Sequence, residues 1–120
     1  MQVYSNVFVH EETGDLLGYE LAIKRNEERV FALFYVYEGG VSDEGVTLSG
    51  KFLRSRLSVE GTWVEHLRDS SEHEIVQTHF VKITGGLNST TFRGKVSIEG
   101  LAKNDPMRLK RVKQIWFCKK

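Results

Sequence analysis

Cysteine, proline and long apolar runs are all scarce in this 120-residue chain, and each scarcity excludes a class of protein. The single cysteine, Cys118, cannot form an internal disulfide, and it excludes a zinc site built from several cysteines. One proline and eleven glycines argue against a disordered chain or a linker. No run approaches the roughly 18 apolar residues of a membrane-spanning helix, and a strand-like run beginning at Val3 leaves no place for a signal peptide. We therefore expect one domain that is cytoplasmic or is the mature form of an exported protein.

Catalytic motifs are missing as well. The chain has no nucleophile elbow, phosphate-binding glycine loop or metalloprotease motif, and Cys118 has no neighbouring histidine. The densest group of potential metal ligands occupies residues 64–74, with His79 close behind. Its members are Glu65, His66, Asp69, Glu72, His73 and Glu74. Their spacing matches no strong metal motif, so we interpret the segment as a solvated loop or short helix and expect no metal site, no cofactor and no enzymatic activity.

Basic residues are scarce in the N-terminal part of the chain, and acidic residues are scarce in the C-terminal part. Residues 1–50 contain three basic and nine acidic residues, whereas residues 101–120 contain seven basic residues and one acidic residue. The basic run 108–120 includes aromatic residues, a composition typical of nucleic-acid binding, but a net charge of only +1 for the whole chain argues against a nucleic acid as the partner. If the last strand pairs with the first, the two charged segments would neutralise each other. The alternative is a bipolar surface that steers a charged partner.

Alternation of apolar and polar residues with a period of two runs through most of the chain and predicts strands. The predicted strands are residues 2–10, 16–25, 29–38, 46–53, 56–63, 75–84, 90–102 and 107–118. Turns are expected at residues 85–89 and 103–106. The third strand is apolar on both faces, so something must cover its outer face. A helix, a long loop or a second subunit could do so, and the last would make a homodimer.

Four segments repeat an apolar residue, a polar residue and then glycine, at residues 48–52, 59–63, 92–96 and 98–102. In a strand, each glycine shares the face of the apolar residue two positions away. Glycine on the core side of a strand indicates sharp bending or close approach of another backbone. We therefore predict an all-β single domain, residues 1–120, folded as an eight-stranded antiparallel up-and-down barrel.

Residues 14–21 (GDLLGYEL), the glycine-marked strands and residues 108–113 (RLKRVK) together resemble small uncharacterised bacterial β-barrel proteins of calycin-like, lipocalin-like build. Lipocalins carry a Gly-x-Trp motif in their first strand. Here the same motif, formed by Gly61 and Trp63, lies in the predicted fifth strand, which limits the similarity to architecture. The resemblance implies that the barrel binds small apolar molecules.

Two functional hypotheses follow. The first is a non-enzymatic barrel that binds a small apolar or amphipathic ligand, provided that its aromatic residues line a cavity rather than fill the core. The candidate ligand-binding residues are Tyr19, Phe34, Phe52, Trp63, Phe80 and Phe92. The alternative is a protein-binding module, such as a bacterial immunity protein or an inhibitor of a toxin or hydrolase, that uses an acidic patch. The candidate patch residues are Glu11, Glu12, Glu27, Glu28, Asp43 and Glu44.

Overall fold

The chain folds as a closed antiparallel β-barrel of eight strands with one extra short strand, as seen in a computed structural model that describes residues 1–39, 45–68 and 70–113. The strands are β1 (Gln2–Ser5), β2 (Phe8–Val9), β3 (Leu16–Asn26), β4 (Arg29–Gly39), β5 (Val46–Leu53), β6 (Arg56–Arg68), β7 (Glu74–Leu87), β8 (Thr91–Ile98) and β9 (Ala102–Val112). Neighbours in sequence pair in an up-and-down meander, and β1 closes the barrel by pairing with both β3 and β9. The predicted fold class is confirmed.

The first predicted strand is interrupted at Asn6 and Val7, which separate β1 from β2. Asn6 accepts a hydrogen bond from the backbone N–H of Tyr19 through its Oδ1 atom, at 2.6 Å. Opposite this interruption, Gly18 has a φ of 125°, a conformation that side chains rarely adopt, and a Cβ there would meet the Asn6 side chain and backbone. The glycine therefore permits the local irregularity in the barrel wall.

The two faces of β4 pack against different parts of the chain. Its inner face, from Val30 to Val36 on alternate residues, packs into the main core. On its outer face Tyr35 and Tyr37 are buried with Leu16, and Val7 packs against them. The chain's own N-terminal segment therefore covers the Tyr35–Tyr37 end of this face, whereas Phe31 remains 54% exposed, and the homodimer stays a prediction.

Three predicted breaks in the strands are wrong in whole or in part. The predicted loop or short helix at 64–74 is much shorter, because β6 and β7 pair as far as Arg68 and Glu74 and the described turn between them is confined to residues 70–73. The glycines at 85 and 86 lie inside β7 instead of in a turn, and the 103–106 segment lies inside β9. Pro106 is tolerated there because β1 pairs with β9 only at residues 110–112, so Pro106 lies where β9 has a strand neighbour on one side among the described residues.

Inward-facing glycines occur as predicted at three of the four repeats. A Cβ at Gly50, Gly61 or Gly94 would collide with the backbone of a neighbouring strand, so the strands approach too closely for any side chain. Gly100 differs, because it lies in the β8–β9 turn with a φ of 80°. The tight approaches accompany a barrel interior filled by side chains: the core cluster includes Phe34, which is completely buried.

Candidate functional site

One end of the barrel carries an open cleft of about 280 Å³. Its lining residues are Tyr19, Val36, Glu38, Trp63, Ile98, Leu101, Ala102, Lys103 and Asp105. The cleft forms beside the place where β1 ends. Because β1 is only four residues long, β9 continues towards this end without β1 beside it. We call this opening the mouth cleft.

A hydrogen bond joins β3 to β9 across the gap that β1 leaves. The Tyr19 hydroxyl donates to Oδ2 of Asp105 at 2.8 Å, and the Tyr19 ring stacks on buried Phe34 with centroids 5.5 Å apart. Burial, the hydrogen bond to Asp105 and the nearby charges of Asp105 and Glu38 raise the pKa of Tyr19 to about 12. Tyr19 therefore remains a neutral phenol at physiological pH, with its proton directed towards Asp105.

Trp63 supplies the second aromatic wall, and His79 holds it in place. The two rings lie 5.3 Å apart, tilted by 40°. His79 is 8% exposed, with Nδ1 placed 2.9 Å from the carbonyl oxygen of Glu99 and Nε2 placed 3.2 Å from Oε1 of Glu65. The hydrogen bond to the Glu99 carbonyl, and to a smaller extent the one to Glu65, raises the pKa of His79. Because both nitrogens face acceptors, the doubly protonated imidazolium satisfies this site best.

Two carboxylates, those of Glu38 and Asp105, line the same cleft. Glu38 continues the inward-facing series of β4 beyond Val36, and Asp105 does the same for β9 before Met107. Within the described residues neither carboxylate belongs to an ion pair. The mouth cleft therefore combines two aromatic surfaces with two carboxylates and with Lys103, the one cationic side chain among the residues that line it.

The six predicted ligand-binding residues are distributed over four different environments. Tyr19 and Trp63 line the mouth cleft, whereas Phe34 and Phe92 are completely buried in the core. Phe52 lies at the opposite end of the barrel, where the Arg25 guanidinium stands 4.4 Å above its ring. The sixth, on β7, is 46% exposed on the outer wall: Phe80. Of the six residues, only Tyr19 and Trp63 line the mouth cleft, and Phe34 lies beneath it, stacked against Tyr19.

The predicted acidic patch is divided between the two ends of the barrel. Glu11 and Glu12 precede β3, while Glu27 and Glu28 follow it, and the strand between them has 11 residues. At about 3.3 Å per residue, the two pairs stand roughly 35 Å apart. They therefore form no common face. The remaining two predicted patch residues, Asp43 and Glu44, lie outside the described residues, as does Cys118.

Sequence reasoning missed Glu38 and Asp105 for different reasons. Glu38 shares the parity of the inward series of β4, and that alternation could have identified it. Asp105 precedes Pro106, and this Asp-Pro pair predicted a turn. Across the described chain, no group of three or more His, Cys, Asp or Glu residues is arranged to hold a metal ion. His66 instead forms an exposed hydrogen bond with Glu74, with its Nδ1 at 2.7 Å from Oε1.

The part of the chain that the structure describes contains no helix long and apolar enough to cross a membrane. No known protein family, no curated protein and no solved structure matches this chain. The calycin-like resemblance therefore stays a prediction, and the function must be argued from the mouth cleft itself.

Proposed function

We propose that this barrel is a non-enzymatic binding protein that takes a small amphipathic molecule with a cationic head group at the mouth cleft. The observation that carries the proposal is the meeting of Tyr19, Trp63, Glu38 and Asp105 in one open cleft. Aromatic faces attract a cation through their ring quadrupoles, by about 0.5–2 kcal/mol according to how far the cation is desolvated. The two negatively charged carboxylates attract the same cation.

The filled barrel centre supports binding at the mouth instead of deep inside. Phe34, beneath Tyr19, is completely buried and belongs to the continuous core. A cleft of about 280 Å³ lies just below the usual range for ligand pockets, about 300–1,000 Å³. It therefore suits a small molecule, or the head group of a longer one whose tail extends along the exposed Leu101.

Three probes that share one aromatic ring test the proposal: benzyltrimethylammonium, neutral benzyl alcohol and anionic benzenesulfonate. Each is titrated into isotopically labelled protein while backbone amide chemical shifts are recorded. We expect saturable shifts with benzyltrimethylammonium, centred on Tyr19, Trp63 and Asp105, and weaker effects with the other two probes. Equal responses to the cation and the anion, or shifts centred elsewhere, would contradict the proposal.

Charge-neutral variants separate the cleft from the general acidity of the protein. Glu38→Gln combined with Asp105→Asn should weaken benzyltrimethylammonium binding about fivefold, because exposed charge pairs contribute up to about 1 kcal/mol. Asparagine can still accept the hydrogen bond of Tyr19. Glu27→Gln combined with Glu28→Gln removes the same charge at the other end of the barrel, and it should leave the affinity unchanged. Equal losses in both double variants would sink the assignment.

A further inference from the structure

Three arginines form a row across the outer face of the barrel wall. The strand register places Arg56 of β6 beside Gly86 of β7, Gly86 beside Arg93 of β8, and Arg93 beside Arg108 of β9. All three arginines are exposed, and each adjoins buried core residues in its strand, so each points outwards. With strands about 4.8 Å apart, the row spans roughly 14 Å.

Two lysines widen the row along the strands. Lys95 lies two residues from Arg93 on β8, and Lys110 lies two residues from Arg108 on β9, on the other side of the row. The five cations are Arg56, Arg93, Lys95, Arg108 and Lys110, and we call them the basic face. The outward positions between them are small or uncharged, including Thr84 opposite Lys95 and Thr91 opposite Lys110.

The basic face places like charges side by side within residues 1–39, 45–68 and 70–113, the part of the chain that the structure describes. Arg93 and Arg108 are direct cross-strand partners, an arrangement that destabilises a sheet. No described carboxylate forms an ion pair with any of the five cations. The strand beside β9 is β1, Gln2–Ser5, which contains no charged residue. The acidic N-terminal half therefore does not neutralise the face by strand pairing, and the bipolar-surface hypothesis is the one that this arrangement favours.

We propose that the basic face binds the phosphate backbone of a duplex nucleic acid. Arginine suits this partner, because its planar guanidinium donates two parallel hydrogen bonds to one phosphate. Gly86 has no side chain between Arg56 and Arg93, and Nη1 of Arg56 lies over it, 3.9 Å from where a Cβ would stand, so this guanidinium is already directed towards the centre of the row. No residue that the register pairs directly with one of the five cations is aromatic, and the exposed Phe80 lies four positions beyond Thr84 on β7, which favours a duplex over a single strand whose bases need a stacking surface. Contacts of this kind carry no sequence specificity.

The proposal is independent of the mouth cleft, and fluorescence anisotropy with a labelled 20-base-pair DNA duplex tests it. Five phosphate contacts predict that log K falls with log[NaCl] with a slope of up to about −4.5. The variant Arg56→Gln/Arg93→Gln/Arg108→Gln should reduce that slope by about 2.7 and weaken binding at least tenfold at 50 mM NaCl. Its fold is checked by circular dichroism, and Arg93→Gln alone, with an expected slope change of about 0.9, serves if the triple variant does not fold.

The matched control removes three cations from the other side of the barrel, in Lys24→Gln/Arg29→Gln/Lys51→Gln. It should bind the duplex within about twofold of the original protein, since those residues lie on β3, β4 and β5. Three outcomes would overturn the proposal. They are an equal loss in both triple variants, no duplex binding at 100 µM protein in 20 mM NaCl, and binding to polyglutamate or to phosphatidylserine vesicles as tight as binding to the duplex.

Discussion

Replacing Gly50 by alanine should lower the free energy of unfolding by about 2–3 kcal/mol. An alanine Cβ at this position would clash with the carbonyl oxygen of Ser58 and stand 2.8 Å from Cα of Val59. Carbon–oxygen contacts between strands normally measure about 3.3–3.6 Å. The β5–β6 pair must therefore separate by more than an ångström, between residues that the register pairs directly.

The magnitude follows from three contributions. Overpacking a core position costs typically about 1–3 kcal/mol, and a lost ladder hydrogen bond costs about 1 kcal/mol more. Alanine recovers about 0.5–1 kcal/mol, because it restricts the unfolded chain more than glycine does. Gly86→Ala is the matched control: its Cβ would meet nothing nearer than Nη1 of Arg56, at 3.9 Å. That variant should be neutral, or stabilised by up to about 1 kcal/mol.

Urea unfolding followed by far-ultraviolet circular dichroism measures both variants under the same conditions. The transition midpoint of Gly50→Ala should fall well below that of Gly86→Ala, with similar slopes for the two transitions. If the two variants differ by less than about 0.5 kcal/mol, the backbones of β5 and β6 do not approach as closely as described. The account of the glycine repeats as sites of backbone contact would then be wrong.

Three further variants test the core, the outer wall and the mouth. Phe92→Ala should lower the free energy of unfolding by about 3–5 kcal/mol, because its completely buried ring packs over facing glycines of β7 and β8. Phe80→Ala, on the exposed outer wall, should change that free energy by less than about 1 kcal/mol. Equal losses in urea unfolding would contradict the assignment of inner and outer faces. His79 should stabilise the fold fully below its unfolded pKa of about 6.5 and lose that contribution as the pH rises through its raised folded pKa. The stability difference between the original protein and His79→Gln should therefore shrink between pH 6 and pH 9, and a difference that grows would refute the imidazolium assignment.

Local alternation predicted the strands best where apolar residues face the core on every second position. Leu21 and Ile23 of β3 alternate with residues of the outer wall, and the structure buries both in the core. Beyond the rim, β6 and β7 continue as a paired hairpin around His66. That extension has no core to face, so its sequence lacks apolar alternation and was predicted as a loop. The Asp-Pro pair at Asp105 predicted a turn wrongly, because at Pro106 only β8, among the described strands, pairs with β9, and the strand can therefore accept a proline.

The sequence by itself determined an all-β barrel, its meander order and the close contacts at its inward glycines, because these depend on the periodicity and size of neighbouring residues. Only the tertiary structure decided which residues that are distant in sequence lie side by side. Tyr19 and Asp105 are separated by 86 positions and meet because a short β1 leaves a gap in the wall. Arg56, Arg93 and Arg108 align because the register of four strands is fixed by closure of the barrel. Closure sets the register of every strand at once, and no local pattern specifies it.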